Sequence, residues 1–104
     1  SRKAQTISFD EILSAYHPAE RIRVDNEGSD FFTILEVRGE IRMGLLYELA
    51  KKIFSLGLDI RFAKVNSDKE KMTGVFYVRD ASGQKIYEDS LLEKVRREIL
   101  SVLQ

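Results

Sequence analysis

The chain predicts an α+β sandwich: four antiparallel strands in the order β-β-α-β-β-α, with two helices on one face of the sheet. Three observations predict it. From Val24 to Ile60 a period-two apolar run, a glycine-bracketed loop, a helical apolar stripe, a glycine stop and a new apolar run follow one another. Leu58 to Arg79 then holds two strand-like runs around a polar segment, as in a hairpin. From Ser90 to the C-terminus the apolar spacing returns to the helical period. With 104 residues the chain is the size of one domain.

Residues 1–20 read as a lead-in or linker, and 21–104 as the folded unit. Ser8-Phe9-Asp10-Glu11 has the spacing of a capping box, with Ile12, Leu13 and Tyr16 on one face of a short helix. His17-Pro18 stops it, because proline disfavours helical geometry in the residue before it. Ile22 and Val24 alternate with Arg21, Arg23 and Asp25 as a half-buried strand, and Asn26 to Asp30 form a turn. Phe31 to Arg38 returns as the antiparallel partner. Phe31, Thr33, Leu35 and Val37 are expected on the core face, and Phe32, Ile34, Glu36 and Arg38 on the other.

Met43 to Leu56 predicts a helix whose stripe is Leu45, Leu46, Leu49, Ala50, Ile53 and Phe54, ended by Gly57 in a left-handed cap. Leu58 to Val65 is a strand, Asn66 to Lys71 a hairpin loop, Met72 to Arg79 the most apolar strand, and Asp80 to Gly83 a turn. Ser90-Leu91-Leu92-Glu93 is a second capping box. It opens a final helix that turns Leu92, Val95, Ile99 and Val102 inward. Two helices on one face of such a sheet make the ferredoxin-like arrangement, with the leading strand at the edge where a last strand normally sits.

Composition narrows the function. Seventeen basic residues balance seventeen acidic ones, which speaks against a protein that grips phosphate backbones. There is no cysteine, so disulfides and thiolate metal sites are excluded and a reducing cytoplasm is the expected location. No apolar run is long enough to span a bilayer, so no membrane partner is expected. His17 is the single histidine and has no partners for metal or nucleophilic chemistry. Asp25, Glu27 and Asp30 read as a solvated turn rather than a metal site. No cofactor and no catalytic residues are expected.

The loop from Gly39 to Gly44 is the one place where a small ligand is expected, since free N–H groups gather at a helix start. Its glycines match a phosphate loop in spacing only, because Leu45-Leu46 stand where lysine and a hydroxyl residue belong. The residues assigned to ligand binding are Arg42, Met43, Gly44, Leu45 and Asp59. Phe32 and Ile34, pointing away from the core face, mark an interface. An RNA-binding module is a weaker alternative. Gly74 to Val78 echoes that signature faintly, but Thr73 replaces its basic residue.

From Asp25 to the C-terminus the sequence resembles an ACT domain, most closely the C-terminal one of bacterial uridylyltransferase/uridylyl-removing enzymes that modify the PII nitrogen-signalling protein. The residues carrying this are Asp25-Asn26-x-x-Ser29-Asp30, Thr33 to Val37, Gly44 to Leu49, Leu56-Gly57-Leu58-x-Ile60, Val75-Phe76-Tyr77-Val78-x-Asp80 and Gly83-x-Lys85-Ile86. The resemblance implies a non-catalytic, amino-acid-sensing regulatory domain. It also implies glutamine as ligand, chemistry upstream in a parent enzyme, and a second ACT domain, in cis or in a homodimer, as partner. Where that family reads D-R-P-G this chain reads Ile41-Arg42-Met43-Gly44, and Asp59 replaces an asparagine. The alternative reading is a degenerate ACT domain that serves only as an assembly surface.

Overall fold

A computed structural model describes residues 21–104. Within them the order is β1 (Ile22–Asp25), β2 (Thr33–Glu40), α1 (Leu45–Ser55), β3 (Asp59–Asp68), β4 (Lys71–Arg79) and α2 (Asp89–Leu103). The sheet is antiparallel throughout in the order β1-β2-β4-β3, so the leading strand occupies an edge beside β2. This is the expected ferredoxin-like ββαββα arrangement.

Strand alternation explains the two layers. Leu35 pairs with Phe76 and Thr33 with Val78, which sends these side chains to the helical side. There they meet Leu45, Leu49 and Ile53 of α1 and Val95, Ile99 and Leu103 of α2 in one core. Lys52 bridges to Glu98 at 3.1 Å between the helices. No helix among the described residues is long and apolar enough to cross a membrane.

Several elements depart from the expectation. Phe31, expected in the core, is 72% exposed. The Ser29 hydroxyl accepts the N–H groups of Phe31 and Phe32 at 3.1 and 3.2 Å, which prolongs the turn and starts β2 at Thr33. The stripe of α1 is narrower than drawn: Leu46 and Phe54 are 44% and 77% exposed. The expected 66–71 loop shrinks to Lys69 and Glu70, because Asn66, Ser67 and Asp68 continue the ladder opposite Thr73, Met72 and Lys71. The Ser90 capping box does not form; α2 begins a residue earlier, after Glu88, without a side-chain cap. Its inner face is Val95, Ile99 and Leu103, with Leu92 and Val102 half-buried. Gly57 ends α1 at φ 80, as the cap requires. The first capping box, with Ile12, Leu13, Tyr16 and His17, lies outside the described residues.

The turns at one end of the sheet are tied together by polar side chains. The Thr33 hydroxyl, fully buried, donates to Asn26 Oδ1 at 2.6 Å and accepts the Ile86 N–H at 2.9 Å. Asn26 Nδ2 donates to the Ile86 carbonyl at 2.7 Å, and Lys85 Nζ to the Asn26 carbonyl at 2.8 Å. Asp25 and Asp80 each accept backbone N–H groups within their own turns. Asn26, Thr33, Lys85 and Ile86, which join the loops, and Ser29 and Asp80, which brace their own turns, are among the residues that carried the resemblance.

Candidate functional site

At the opposite end of the sheet, Ile41 to Gly44 connects β2 to α1. Gly44 sits at φ 81 as the N-cap residue, a conformation costly for any side chain. Its carbonyl accepts the Glu48 N–H at 2.8 Å and begins the helix. The Leu45 N–H donates to the Arg42 carbonyl at 3.1 Å, so it is engaged within the loop. The first turn of α1 still carries N–H groups without intrahelical acceptors and the positive end of the helix dipole.

Arg42 is held from two sides. Its Nη1 and Nη2 donate to Glu48 at 3.0 and 3.1 Å, and Nη2 also to the Val102 carbonyl at 2.8 Å. The hydrogen bonds from Arg42 hold the Glu48 carboxyl below its usual range, and the Glu48 bonds raise Arg42 above its own. Arg21 Nη1 reaches the Leu103 carbonyl at 3.2 Å, so two guanidiniums meet the C-terminal end of α2.

Beside the loop lies a groove of about 270 Å³ lined by Ile41, Arg42, Gly44, Leu46, Tyr47, Val65 and Met72, among others. Its volume is near the lower end of the ~300–1,000 Å³ typical of small-molecule sites. Met43 points outward, 96% exposed. Leu46, Tyr47 and Val65 were not assigned to the ligand site from the sequence. The exposed flank of the α1 stripe was the signal, and it resembled core.

Asp59 is placed elsewhere. It starts β3 opposite Arg79, eight residues before the groove residue Ser67, roughly 26 Å at ~3.3 Å per residue. Its carboxylate meets Arg79 at 3.3 Å and Arg61 at 3.7 Å. Within one chain, then, Arg42, Met43, Gly44 and Leu45 are brought together and Asp59 is not.

The face of the sheet away from the helices holds Phe32 and Ile34. Phe32 packs edge-to-face against Phe62 and Tyr77, with ring centroids 5.8 and 6.1 Å apart, and Arg79 lies over its ring. Ile34 is only 6% exposed, so Phe32 and Phe62 supply the accessible apolar surface at this end.

The described residues thus form a small two-layer sandwich with a glycine-capped loop opening on a groove. Its sequence gives the family. The model of the ACR family N-terminal ACT domain matches residues 29–104, and the chain belongs to the ACT domain family. The resemblance was to a C-terminal unit; the matching model describes an N-terminal one. The chain is 38% identical over 88 residues to a bifunctional uridylyltransferase/uridylyl-removing enzyme of Azospirillum brasilense, covering 85% of this chain and 9% of that protein. Enzymes of the same name from Gluconobacter oxydans (35% over 91 residues) and Zymomonas mobilis (32% over 87) match 88% and 84% of the chain. The chain spans about a tenth of the length of these relatives. No solved structure matches. ACT domains bind amino acids and associate with one another as a class.

Proposed function

We propose that this chain is a non-catalytic regulatory unit of a uridylyltransferase-like enzyme, binding a small amino acid at the β2–α1 loop and pairing with a second ACT domain. The observation that carries the reading is the loop itself: a left-handed glycine at a helix N-terminus, opening on an apolar groove beside Val65 of the edge strand β3. Helix N–H groups suit a carboxylate, and the groove suits an aliphatic stem. Glutamine is the first ligand to test, since the resemblance implies it. Asp59 enters such a site only from a neighbour. If two β3 edges paired antiparallel about a two-fold axis, the partner's Asp59 would approach this chain's Ser67 end and its loop.

Calorimetric titration with L-glutamine, with other amino acids as controls, tests this. Saturable heat with glutamine supports the sensor; flat traces up to millimolar concentration count against it. Gly44→Val is expected to abolish the heat, and because strain alone could do so, Leu46→Asp in the groove wall is the companion variant.

A second reading, an assembly unit without ligand, has its own support. Arg42 is committed to Glu48 and Val102, the Leu45 N–H to Arg42, and Asp59 to two arginines. Under it Phe32→Asp lowers association while glutamine gives no heat at all. Phe32 is the better probe, since Ile34 is buried. Nucleic-acid binding is disfavoured by the zero net charge and by three open-face rings that pack edge-on against one another.

A further inference from the structure

We infer that Met43 is an oxidation site, and that its sulfoxide weakens the pairing of this chain with a second copy. The chain has two methionines, and the fold treats them oppositely. Met72 of β4 is packed in the core at 5% exposure, whereas Met43 is 96% exposed. The start of α1 explains the difference. Met43 stands one residue before the N-cap Gly44, where an apolar side chain commonly packs on the fourth residue of the helix. Here that fourth residue is Glu48, held by Arg42 at 3.0 Å, so the position is charged rather than apolar. A peroxide reaches such an open thioether directly. The sulfur lone pair takes one peroxide oxygen, the O–O bond breaks, and the other oxygen leaves as water. The sulfur is oxidised to a sulfoxide and the peroxide is reduced.

Oxidation matters because of what lies next to Met43. Tyr47 and Phe54, seven residues apart on the outer side of α1, are 67% and 77% exposed, and Leu46 beside Tyr47 is 44% exposed. Met43 stands at the N-terminal end of this apolar strip. Lys52, on the opposite side of the helix, reaches Glu98 of α2, so the strip is turned away from α2 and toward Val65 on the free edge of β3. The proposal rests on the pairing reading given above, and a second copy is the occupant that fits. At ~150–250 Å² for a whole aromatic side chain, the strip and Met43 offer on the order of 500 Å², more than scattered apolar residues would. Each partner of a stable dimer contributes about 800 Å². The remainder lies alongside, on the ten residues of β3, exposed along nearly its whole length. Antiparallel pairing of two such edges sets one strip against the other, so one two-fold contact covers both. A sulfoxide oxygen carried into that contact loses its hydrogen bonds to water.

The absence of cysteine makes the test clean, since no thiol competes for the oxidant. The full chain is treated with dilute hydrogen peroxide at a concentration where monomer predominates, and its peptides are followed by mass spectrometry. Met43 should gain an oxygen at least about ten times faster than Met72. Sedimentation should then show the dimer dissociation constant rising about tenfold in step with that gain. Methionine sulfoxide reductase should reverse both changes. Met43→Leu, which keeps the side chain apolar and removes the sulfur, should show no response of association to peroxide, whereas Met72→Leu should keep the response. Equal oxidation of the two methionines, a dimer indifferent to the Met43 sulfoxide, or a response that survives Met43→Leu overturns the proposal and leaves the pairing intact. A chain that sediments as a monomer at every concentration before any peroxide is added overturns the pairing, and the proposal with it.

Discussion

The Thr33 hydroxyl has no access to water, yet it serves two partners, donating to Asn26 and accepting from Ile86. Replacing it by an isosteric methyl leaves a buried N–H and a partly buried amide oxygen without this partner. Such a loss costs about 1–3 kcal/mol. Thr33→Val should therefore lower the urea midpoint by that amount at an unchanged slope, whereas Thr33→Ser, which keeps the hydroxyl, should lose less. At the other end of the sheet, Glu48 is held below the usual carboxylate range by Arg42. Its folded-state pKa lies under its unfolded one, so the stabilisation it brings is complete above the unfolded value and disappears as pH falls through the folded one. Carbon-detected titration should find Glu48 protonating at lower pH than in Arg42→Ala, where it returns toward its ordinary value. The change in folding stability should be small, because both groups are well exposed.

Helix α1 shows how an element's inner face is decided by what lies opposite it. Leu49 and Ile53 are fully buried, whereas Phe54, next in the same apparent stripe, is 77% exposed. Leu49→Ala should cost about 2–5 kcal/mol, and Phe54→Ala should stay within about 0.5 kcal/mol, both by thermal or urea denaturation. Periodicity identified the helix and the first member of each core contact, but not the width of the buried stripe. That width depends on β3, which leaves Ala63, Val65 and Ser67 exposed rather than covering the flank of α1. Polar composition likewise suggested a loop at Asn66 to Asp68, because an edge strand with solvent on both sides needs no apolar alternation. The order of elements along the chain and the Gly57 cap were legible because they rest on local chemistry. The loop joining β2 to α1 was legible as a location, whereas the commitment of Arg42 to Val102, 60 residues away, leaves no mark in the local sequence.

On the scale of the molecule, the two edges of the sheet are unequal. β1 contributes four residues and β3 ten, and β3 is exposed along nearly its whole length. A long free edge is a template for strand pairing. It lies beside the groove formed by Leu46, Tyr47 and Val65. Antiparallel pairing of two β3 edges would cover that apolar strip and set each groove against the neighbour's Asp59. Ligand binding and association would then be one coupled equilibrium, in which each must strengthen the other by the same factor. Sedimentation of the full chain with and without glutamine reads this directly. Glutamine should shift the population toward the dimer, and Val65→Lys should weaken both association and glutamine affinity while leaving the monomer's melting temperature nearly unchanged. Binding of glutamine with no shift in sedimentation would place the whole site within one chain and remove Asp59 from it. A dimer that forms by this edge but ignores glutamine would make the chain an assembly unit.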